Sequence, residues 1–179
     1  MSVFQPNVIL KDVTRIDQAF LRANGLKGLI LDVDNTLTLH NSQMLRADVQ
    51  AWISAMKESD IRLIIVSNNY PERVAPFAKN LGLDFVAPGY KPLTIGFSKA
   101  QKALDLPVQE IGVVGDQIYT DIVGGNLKGM FTVLVCPMLE ETGVTFKVRR
   151  TLETIHIRAY YRKRAPLKPC QSKWEMKQK

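Results

Sequence analysis

The feature that most constrains the fold is a set of short apolar runs separated by helical patterns. Five runs are predicted to be buried strands, and they span residues 26–33, 62–67, 84–88, 110–116 and 131–137. Because these runs are continuously apolar, they are typical of parallel strands covered on both faces. Amphipathic helical patterns lie between them, over residues 47–59, 71–82 and 94–106. The chain is therefore predicted to be a doubly wound α/β protein, with a mainly parallel five-stranded sheet and helices on both faces.

The segments outside this core are predicted to complete one domain over residues 1–161. Residues 1–25 are interpreted as a lead-in with a short helix over 15–23. A C-terminal helix is predicted over residues 146–161, with one apolar face formed by Val148, Leu152, Ile155 and Ala159. In the helix over 71–82, Pro71 fits the first position and Gly82 the stop, whereas Pro76 is expected to kink or restart it.

Charge divides the chain into two unequal parts. Residues 147–179 hold 11 Lys or Arg against two Glu, a balance of +9, whereas residues 1–146 have a balance of −2. Attraction to phosphate-rich partners is therefore predicted to be a property of the C-terminal region. Residues 162–179 are predicted to form a basic, disordered tail.

The sequence also limits the cellular location. It contains no apolar stretch near the ~20 residues that a spanning helix needs, and no signal-peptide pattern at its N-terminus. Its two cysteines, Cys136 and Cys170, have no metal-binding spacing and do not indicate a disulfide framework, although they could pair. These features predict a cytoplasmic protein, with peripheral contact at the inner face of the membrane as a further option.

Polar residues collect where the predicted strands end. Asp32 and Asp34 follow the first strand, Ser67-Asn68-Asn69 the second, Lys91 the third, and Gly115-Asp116 the fourth. Each of these alone is typical of a cap, a turn or a solvated loop. Because ligands of parallel sheets bind beyond the carboxyl ends of the strands, the four segments together predict a functional site at one edge.

These residues resemble the four motifs of the haloacid dehalogenase (HAD) superfamily. Asp32 to Thr36 resembles D-x-D-x-T, Ser67 the second motif, Lys91 the third, and Gly115 to Asp121 the G-D-x-x-x-x-D motif. The resemblance covers residues 26–136. The sequences "SNN", "YKP" and "GDQIYTDIVGGN" further resemble the YqeG-type branch of subfamily IIIA phosphatases, which is similar to phosphatidylglycerophosphate phosphatases.

The resemblance implies a phosphatase that forms an aspartyl-phosphate. Asp32 would be the nucleophile, and Asp34 the acid that protonates the leaving group and then activates water. Lys91 would assist catalysis and bind phosphate together with Ser67 and Asn68.

The resemblance also implies a metal cofactor, Mg²⁺. The ion would be held by Asp32, by the backbone carbonyl of Asp34 and by Asp116, an all-oxygen set that Mg²⁺ favours. Asp121 would orient this group rather than bind the ion. The absence of a cysteine cluster fits poorly with the zinc-binding relatives.

Three hypotheses about function remain open at this point. The intervals from Thr36 to Ser67 and from Ser67 to Lys91 leave no room for a large cap domain, so an open site is predicted. An open site and a basic C-terminus favour a lipid phosphate, first of all phosphatidylglycerophosphate, reached by peripheral contact with an anionic membrane. The alternatives are a phosphatase for a soluble metabolite or phosphoprotein, and an RNA- or ribosome-associated binding protein with a secondary phosphatase site. A solvated segment that aids solubility is the alternative interpretation of the basic tail.

Overall fold

A computed structural model describes residues 2–39, 44–138 and 144–163. Its six parallel strands form one sheet in the order β1-β6-β5-β2-β3-β4. The strands are β1 (Val8–Leu10), β2 (Gly28–Leu31), β3 (Arg62–Val66), β4 (Asp84–Val86), β5 (Ile111–Gly115) and β6 (Phe131–Val135). The helices are α1 (Gln18–Ala23), α2 (Ala47–Glu58), α3 (Pro71–Leu81), α4 (Thr94–Leu104), α5 (Val123–Lys128) and α6 (Val144–Lys163). The predicted doubly wound α/β fold is confirmed.

The edge strand β1 lies within the segment interpreted as a lead-in, so the sheet has six strands instead of five. Its three residues pair in parallel with β6, where Val8 is opposite Val133. The Asn7 side chain strengthens this edge, because its Oδ1 accepts a hydrogen bond from the Thr132 N–H at 2.9 Å. A run of three partly buried residues is too short to show a strand period in the sequence.

Helices cover both faces of the sheet, as predicted. On one face, Leu29, Leu31 and Ile65 pack with buried residues of α1, α2 and α3. On the other face, Ile30 and Ile64 pack against α4. Adjacent residues of one strand thus enter opposite cores, because strand side chains alternate between faces. This double coverage explains the continuously apolar strands of the sequence.

The helix α3 follows its predicted limits and does not restart at Pro76. It begins at Pro71 and ends before Gly82, whose φ of +59° gives the left-handed stop that glycine favours. Its assigned helical span continues through Pro76 without interruption. Of the two effects expected at Pro76, the restart is therefore wrong and the kink stays a prediction.

The C-terminal helix α6 is longer than predicted, and two residues of its predicted apolar face, Leu152 and Ile155, do not face the core. Leu152 is 46% exposed and Ile155 is 62% exposed, whereas Glu153 and Tyr160 are buried. Polar contacts between α6 and the carboxyl edge of the sheet decide this orientation. The tail prediction for residues 162–179 falls outside the described residues from 164 onwards, and the domain limit at 161 stays a prediction. No helix in the described ranges has the length and apolar character to cross a bilayer.

Candidate active site

The predicted site segments meet at the carboxyl edge of the three central strands. Asp32 follows β2, Ser67 follows β3 and Asp116 follows β5, and these strands are direct neighbours. The Asp32 N–H extends the ladder by donating to the Val114 carbonyl at 2.9 Å. This pairing fixes the start of the Asp32 side chain beside β5. We call the opening at this edge the site mouth.

Lys91 lies between two aspartates at the centre of the site. Its Nζ donates to Oδ1 of Asp32 and to Oδ1 of Asp121, each at 2.6 Å. All three side chains are buried. The other oxygen of Asp121 accepts the Gln117 N–H at 3.2 Å, so both carboxylate oxygens of Asp121 are engaged within the chain.

Asn68 holds the backbone of Lys91 from both sides. Its Nδ2 donates to the Lys91 carbonyl at 2.9 Å, and its Oδ1 accepts the Lys91 N–H at 2.7 Å. These contacts fix the base of the Lys91 side chain. The buried Ser67 hydroxyl lies next to this pair in sequence, and its Oγ accepts the Asn69 N–H at 3.2 Å. The phosphate contacts of Ser67 and Asn68 stay predictions.

Three aspartates form a compact acidic cluster. One carboxylate oxygen from each of Asp32, Asp116 and Asp121 lies within 4.8 Å of the others. Oδ1 of Asp116 is buried and has no hydrogen-bond partner among the described residues. A buried carboxylate oxygen of this kind is costly unless an ion or a donor satisfies it. The cluster therefore has the ligand type and the unsatisfied oxygen that a hard divalent cation requires.

Burial and neighbouring charges shift the pKa values in this cluster. Burial raises the pKa of Asp32 to about 7, although the nearby Lys91 ammonium opposes this shift. Burial also raises the pKa of Asp116 well above its usual range, against the effect of Arg150. Burial lowers the pKa of Lys91, but the charges of Asp121 and Asp32 outweigh it and the net pKa is raised. Burial thus disfavours the charged form of Asp32 and Asp116 despite the cations of the chain, and an additional cation nearby would favour that charged form.

Asp34 is held by two residues that lie outside the predicted site set. Arg73 donates from Nη2 to Oδ1 of Asp34 at 2.6 Å, and Asn69 donates from Nδ2 to Oδ2 at 2.5 Å. Arg73 lies in the first turn of α3, directly after the "SNN" segment. Because that turn starts at the carboxyl edge of β3, its position is a sequence signal for a site residue.

The turn after Asp34 contains a left-handed residue and buried polar groups. Asn35 has a φ of +60°, which asparagine adopts more readily than most residues. The Asn35 N–H donates to the Thr38 carbonyl at 2.8 Å, and its own carbonyl accepts the Met138 N–H at 3.2 Å. This backbone pairing fixes the turn that carries Asp34.

Arg150 joins α6 to the acidic cluster. Its Nη2 donates to Oδ2 of Asp116, and its Nη1 donates to the Asp116 carbonyl at 2.7 Å. Nη1 also contacts Oε2 of Glu153 at 2.9 Å, and Oε1 of Glu153 accepts the Ile118 N–H at 2.8 Å. The sequence signal for this contact is a Glu three residues after an Arg on one helix face. These contacts explain why the polar side of α6 faces inward.

We expect Arg150→Ala to weaken the fold and to change cation binding. Without the guanidinium, the buried Asp116 carboxylate loses its charge partner, which costs about 3–5 kcal/mol in the free energy of unfolding. Thermal unfolding with and without a divalent cation measures both effects, and the cation should restore part of the lost stability. Arg162→Ala removes the same charge from an exposed position of α6 and serves as the control. Equal unfolding temperatures for both variants would contradict the assigned contact.

Comparisons with known proteins identify related hydrolases. Residues 39–127 match the family described as haloacid dehalogenase-like hydrolase, and residues 1–75 match the family described as mitochondrial PGP phosphatase. The chain is 34% identical to "Probable phosphatase YqeG" of Bacillus subtilis (strain 168) over 160 residues, which cover 89% of this chain and 93% of that protein.

Two further relatives are longer than this chain. It is 30% identical to phosphatidylglycerophosphate phosphatase 1 of Chlamydomonas reinhardtii, over 76% of this chain and 54% of that protein. It is 30% identical to the corresponding Arabidopsis thaliana protein, over 88% of this chain and 48% of that protein. The chain therefore spans about half the length of these two relatives.

Solved structures support the fold. A crystal structure from Listeria monocytogenes serotype 4b aligns with a TM-score of 0.52 and 24% identity, over 66% of this chain and 85% of that chain. The deoxy-D-mannose-octulosonate 8-phosphate phosphatase of Haemophilus influenzae aligns with a TM-score of 0.52 and 14% identity, over 76% and 90% of the two chains. From the YqeG relationship, which covers both chains almost fully, the chain belongs to the haloacid dehalogenase-like hydrolases and is a phosphatase of the YqeG type.

Proposed function

We propose that the protein is a Mg²⁺-dependent phosphomonoester hydrolase of subfamily IIIA that works through an aspartyl-phosphate on Asp32. The observation that carries this proposal is the buried Asp32 carboxylate, held by Lys91 at 2.6 Å within a cluster of three aspartates. A phosphatase family and a carboxylate fixed beside a cation match the requirements of covalent phosphoryl transfer.

Asp32 and Asp34 divide the chemistry between them. An oxygen of Asp32 attacks the phosphorus, the bond from phosphorus to the substrate oxygen breaks, and the leaving alkoxide takes a proton from Asp34. Water then attacks the aspartyl-phosphate, Asp34 takes up a proton from that water, and inorganic phosphate leaves. Arg73 and Asn69 support this assignment, because their contacts with Asp34 fix the orientation of its carboxyl group.

The remaining site residues bind and orient the phosphoryl group. Lys91 supplies positive charge next to Asp32, and the Ser67 hydroxyl supplies a hydrogen bond. Asn68 acts on the phosphate through Lys91, whose backbone it holds, while Asp121 orients the Lys91 ammonium.

The acidic cluster supplies oxygen ligands that suit Mg²⁺. Asp32, Asp116 and the backbone carbonyl of Asp34 would hold Mg²⁺, and the unpartnered Oδ1 of Asp116 supports its place in this set. When bound, the ion neutralises the charge between the carboxylates and the phosphate dianion. Arg150 keeps the Asp116 side chain in place for this role.

We propose phosphatidylglycerophosphate, or a related lipid phosphate, as the substrate. Two relatives that are 30% identical carry this activity in their names, and residues 1–75 match the PGP phosphatase family. A lipid phosphate also fits the balance of +9 in residues 147–179, since anionic membranes attract such a segment. The enzyme would act in the cytoplasm, peripherally at the inner face of the membrane.

A substrate panel tests this assignment. Phosphate release is measured with Mg²⁺ on phosphatidylglycerophosphate in mixed micelles, sugar phosphates, nucleotides and a phosphopeptide. We expect the lipid phosphate to give the highest kcat/KM, and chelation by EDTA to remove activity on every substrate. A preference for a sugar phosphate or a phosphopeptide would replace the lipid assignment with a soluble one. Tight RNA binding without phosphate release from any substrate would contradict the enzymatic proposal.

Cation binding is expected to depend on pH. Without metal, burial raises the pKa of Asp32 to about 7, above its ordinary value in an unfolded chain. The protonated side chain therefore contributes to the free energy of unfolding below the ordinary carboxyl pKa, and this contribution is lost as the pH rises through about 7. Because a divalent cation binds the deprotonated carboxylates, its affinity should rise as the pH increases through about 7, with release of protons. Calorimetric titration with Mg²⁺ in buffers of different ionisation enthalpy measures both quantities. Constant affinity and no proton release across this range would contradict the assigned site.

A further inference from the structure

The segment that carries Lys91 is attached to the end of β3 at two points. Residues 87–93 connect β4 to α4, and Gly89 in this segment donates its N–H to the Ser67 carbonyl at 2.7 Å. Two residues later, Asn68 holds the Lys91 backbone through its side-chain amide. Gly89 is buried, so this part of the segment lies between elements of the fold.

On its other side, the segment lies against the first turn of α4 through two glycines. Gly96 is buried, and a Cβ atom at this position would overlap the Gly89 carbonyl oxygen and lie 2.9 Å from the Gly89 Cα. Overpacking of this kind forces one of the two elements to shift. Because the crowded atoms of Gly89 belong to the backbone, such a shift moves the segment that carries Lys91.

The conformation of Gly96 does not explain why this position lacks a side chain. Gly96 lies inside α4 and its φ is not positive, so alanine could adopt the same backbone conformation. Glycine is less favourable than alanine inside a helix, because its backbone loses more freedom when it is ordered. The close approach of α4 to Gly89 therefore explains the glycine, and helix formation does not.

Gly89 leaves equally little space on the side of β3. A Cβ atom on Gly89 would lie 2.7 Å from Cγ1 of Val66 and 3.2 Å from the Ser67 carbonyl oxygen. The backbone of Gly89 thus fills the gap between β3 and α4. The absence of both side chains fixes how closely the two elements hold this segment.

We propose that Gly96 is a positioning residue for Lys91. The missing side chain at Gly96 lets α4 hold Gly89 against β3, and this contact places the base of Lys91. From that base, the Lys91 ammonium reaches Asp32 and Asp121 at 2.6 Å each. The inference rests on the proposed phosphatase function, in which Lys91 supplies charge to the phosphoryl group. A misplacement of about 1 Å can lower the rate of a positioned reaction about 10²-fold.

The test is a double-mutant cycle between Gly96→Ala and Lys91→Met. If Gly96 acts through Lys91, its substitution should affect turnover only while the Lys91 ammonium is present. Gly28→Ala is the control, since it also adds a methyl group at a buried glycine. That methyl group would lie 2.6 Å from Cδ1 of Leu106, at the amino end of β2 and away from the site mouth. For each variant, kcat and KM for an aryl phosphate are measured with Mg²⁺, and unfolding by urea is measured separately.

We expect Gly96→Ala to lower kcat by a factor on the order of 10 to 10² with little change in KM, because Lys91 is displaced from the phosphoryl group. In the Lys91→Met background, the same substitution should lower kcat by less than about twofold. Gly28→Ala should lower stability and leave kcat unchanged in both backgrounds. Native kcat in Gly96→Ala, or an equal loss in both backgrounds, overturns the positioning role.

Unfolding decides the inference if the chain hydrolyses no phosphomonoester, an outcome that refutes the proposed function alone. Displacement of Lys91 also weakens its ion pairs, so Gly96→Ala should lower the unfolding midpoint less in the Lys91→Met background. Equal shifts of the midpoint in both backgrounds overturn the positioning role. If Gly96→Ala does not fold, Gly89→Ala takes its place in the cycle and the same outcomes apply. Its Cβ would first meet the Val66 side chain, which moves more readily than a backbone.

Discussion

Asp32→Asn is expected to reduce phosphate release by a factor on the order of 10³ to 10⁵, because the amide cannot attack phosphorus and form the acyl-phosphate. The change keeps the size of the side chain and can retain one contact with Lys91. We therefore expect a folded protein whose loss lies in kcat. Phosphate release from an aryl phosphate in the presence of Mg²⁺, at saturating substrate, measures the effect.

Asp60→Asn is the matched control for this substitution. Asp60 is exposed, lies between α2 and β3 and has a φ of +57°, a backbone conformation that asparagine also adopts. It should retain the activity of the native chain. Native turnover in Asp32→Asn would rule out Asp32 as the nucleophile, whatever the true substrate is. Trapping the phosphoenzyme with labelled substrate gives a second readout, since the native chain should carry the label and Asp32→Asn should not.

Lys91→Met is expected to lower both stability and activity. The substitution leaves Asp32 and Asp121 in a buried site without the ammonium that lies 2.6 Å from each of them. Breaking a buried ion pair from one side costs about 3–5 kcal/mol in the free energy of unfolding. The loss of positive charge at the phosphoryl group should lower kcat by a factor on the order of 10² to 10³.

The pH dependence of the rate separates the effect of Lys91 on Asp32 from its effect on stability. Lys91 opposes the rise in the pKa of Asp32, so its removal should move the acidic limb of the rate profile to higher pH. Lys99→Met removes the same charge from an exposed position on α4 and is the control. An unshifted acidic limb, with stability equal to that of Lys99→Met, would show that Lys91 does not act on Asp32.

The sheet edge is predictable from the sequence because the signals for it are local. Strands that are buried on both faces must be apolar throughout, and polar residues at their ends then stand out. The amino-acid pattern alone places Asp32, Ser67 and Asp116 at one edge, since parallel strands end on the same side. The same local signals do not identify β1, whose short span has no periodicity.

Contacts from distant parts of the chain are not predictable in this way. Arg150 lies 34 residues from Asp116 in sequence, and its charge is one of many in a basic region. The apolar stripe of α6 suggests the wrong face, because a buried Arg–Glu pair outweighs Leu152 and Ile155 in orienting the helix. Asn68 likewise looks like a phosphate-binding residue in the sequence. In the structure, its side-chain amide forms hydrogen bonds with the Lys91 backbone.

By itself, the sequence determined the fold class, the family and the edge at which the aspartates lie. These follow from periodicity and from motif spacing, which are properties of short segments. Only the tertiary structure decided how charge is compensated at that edge: Lys91 between two aspartates, Arg73 on Asp34, and Arg150 on Asp116.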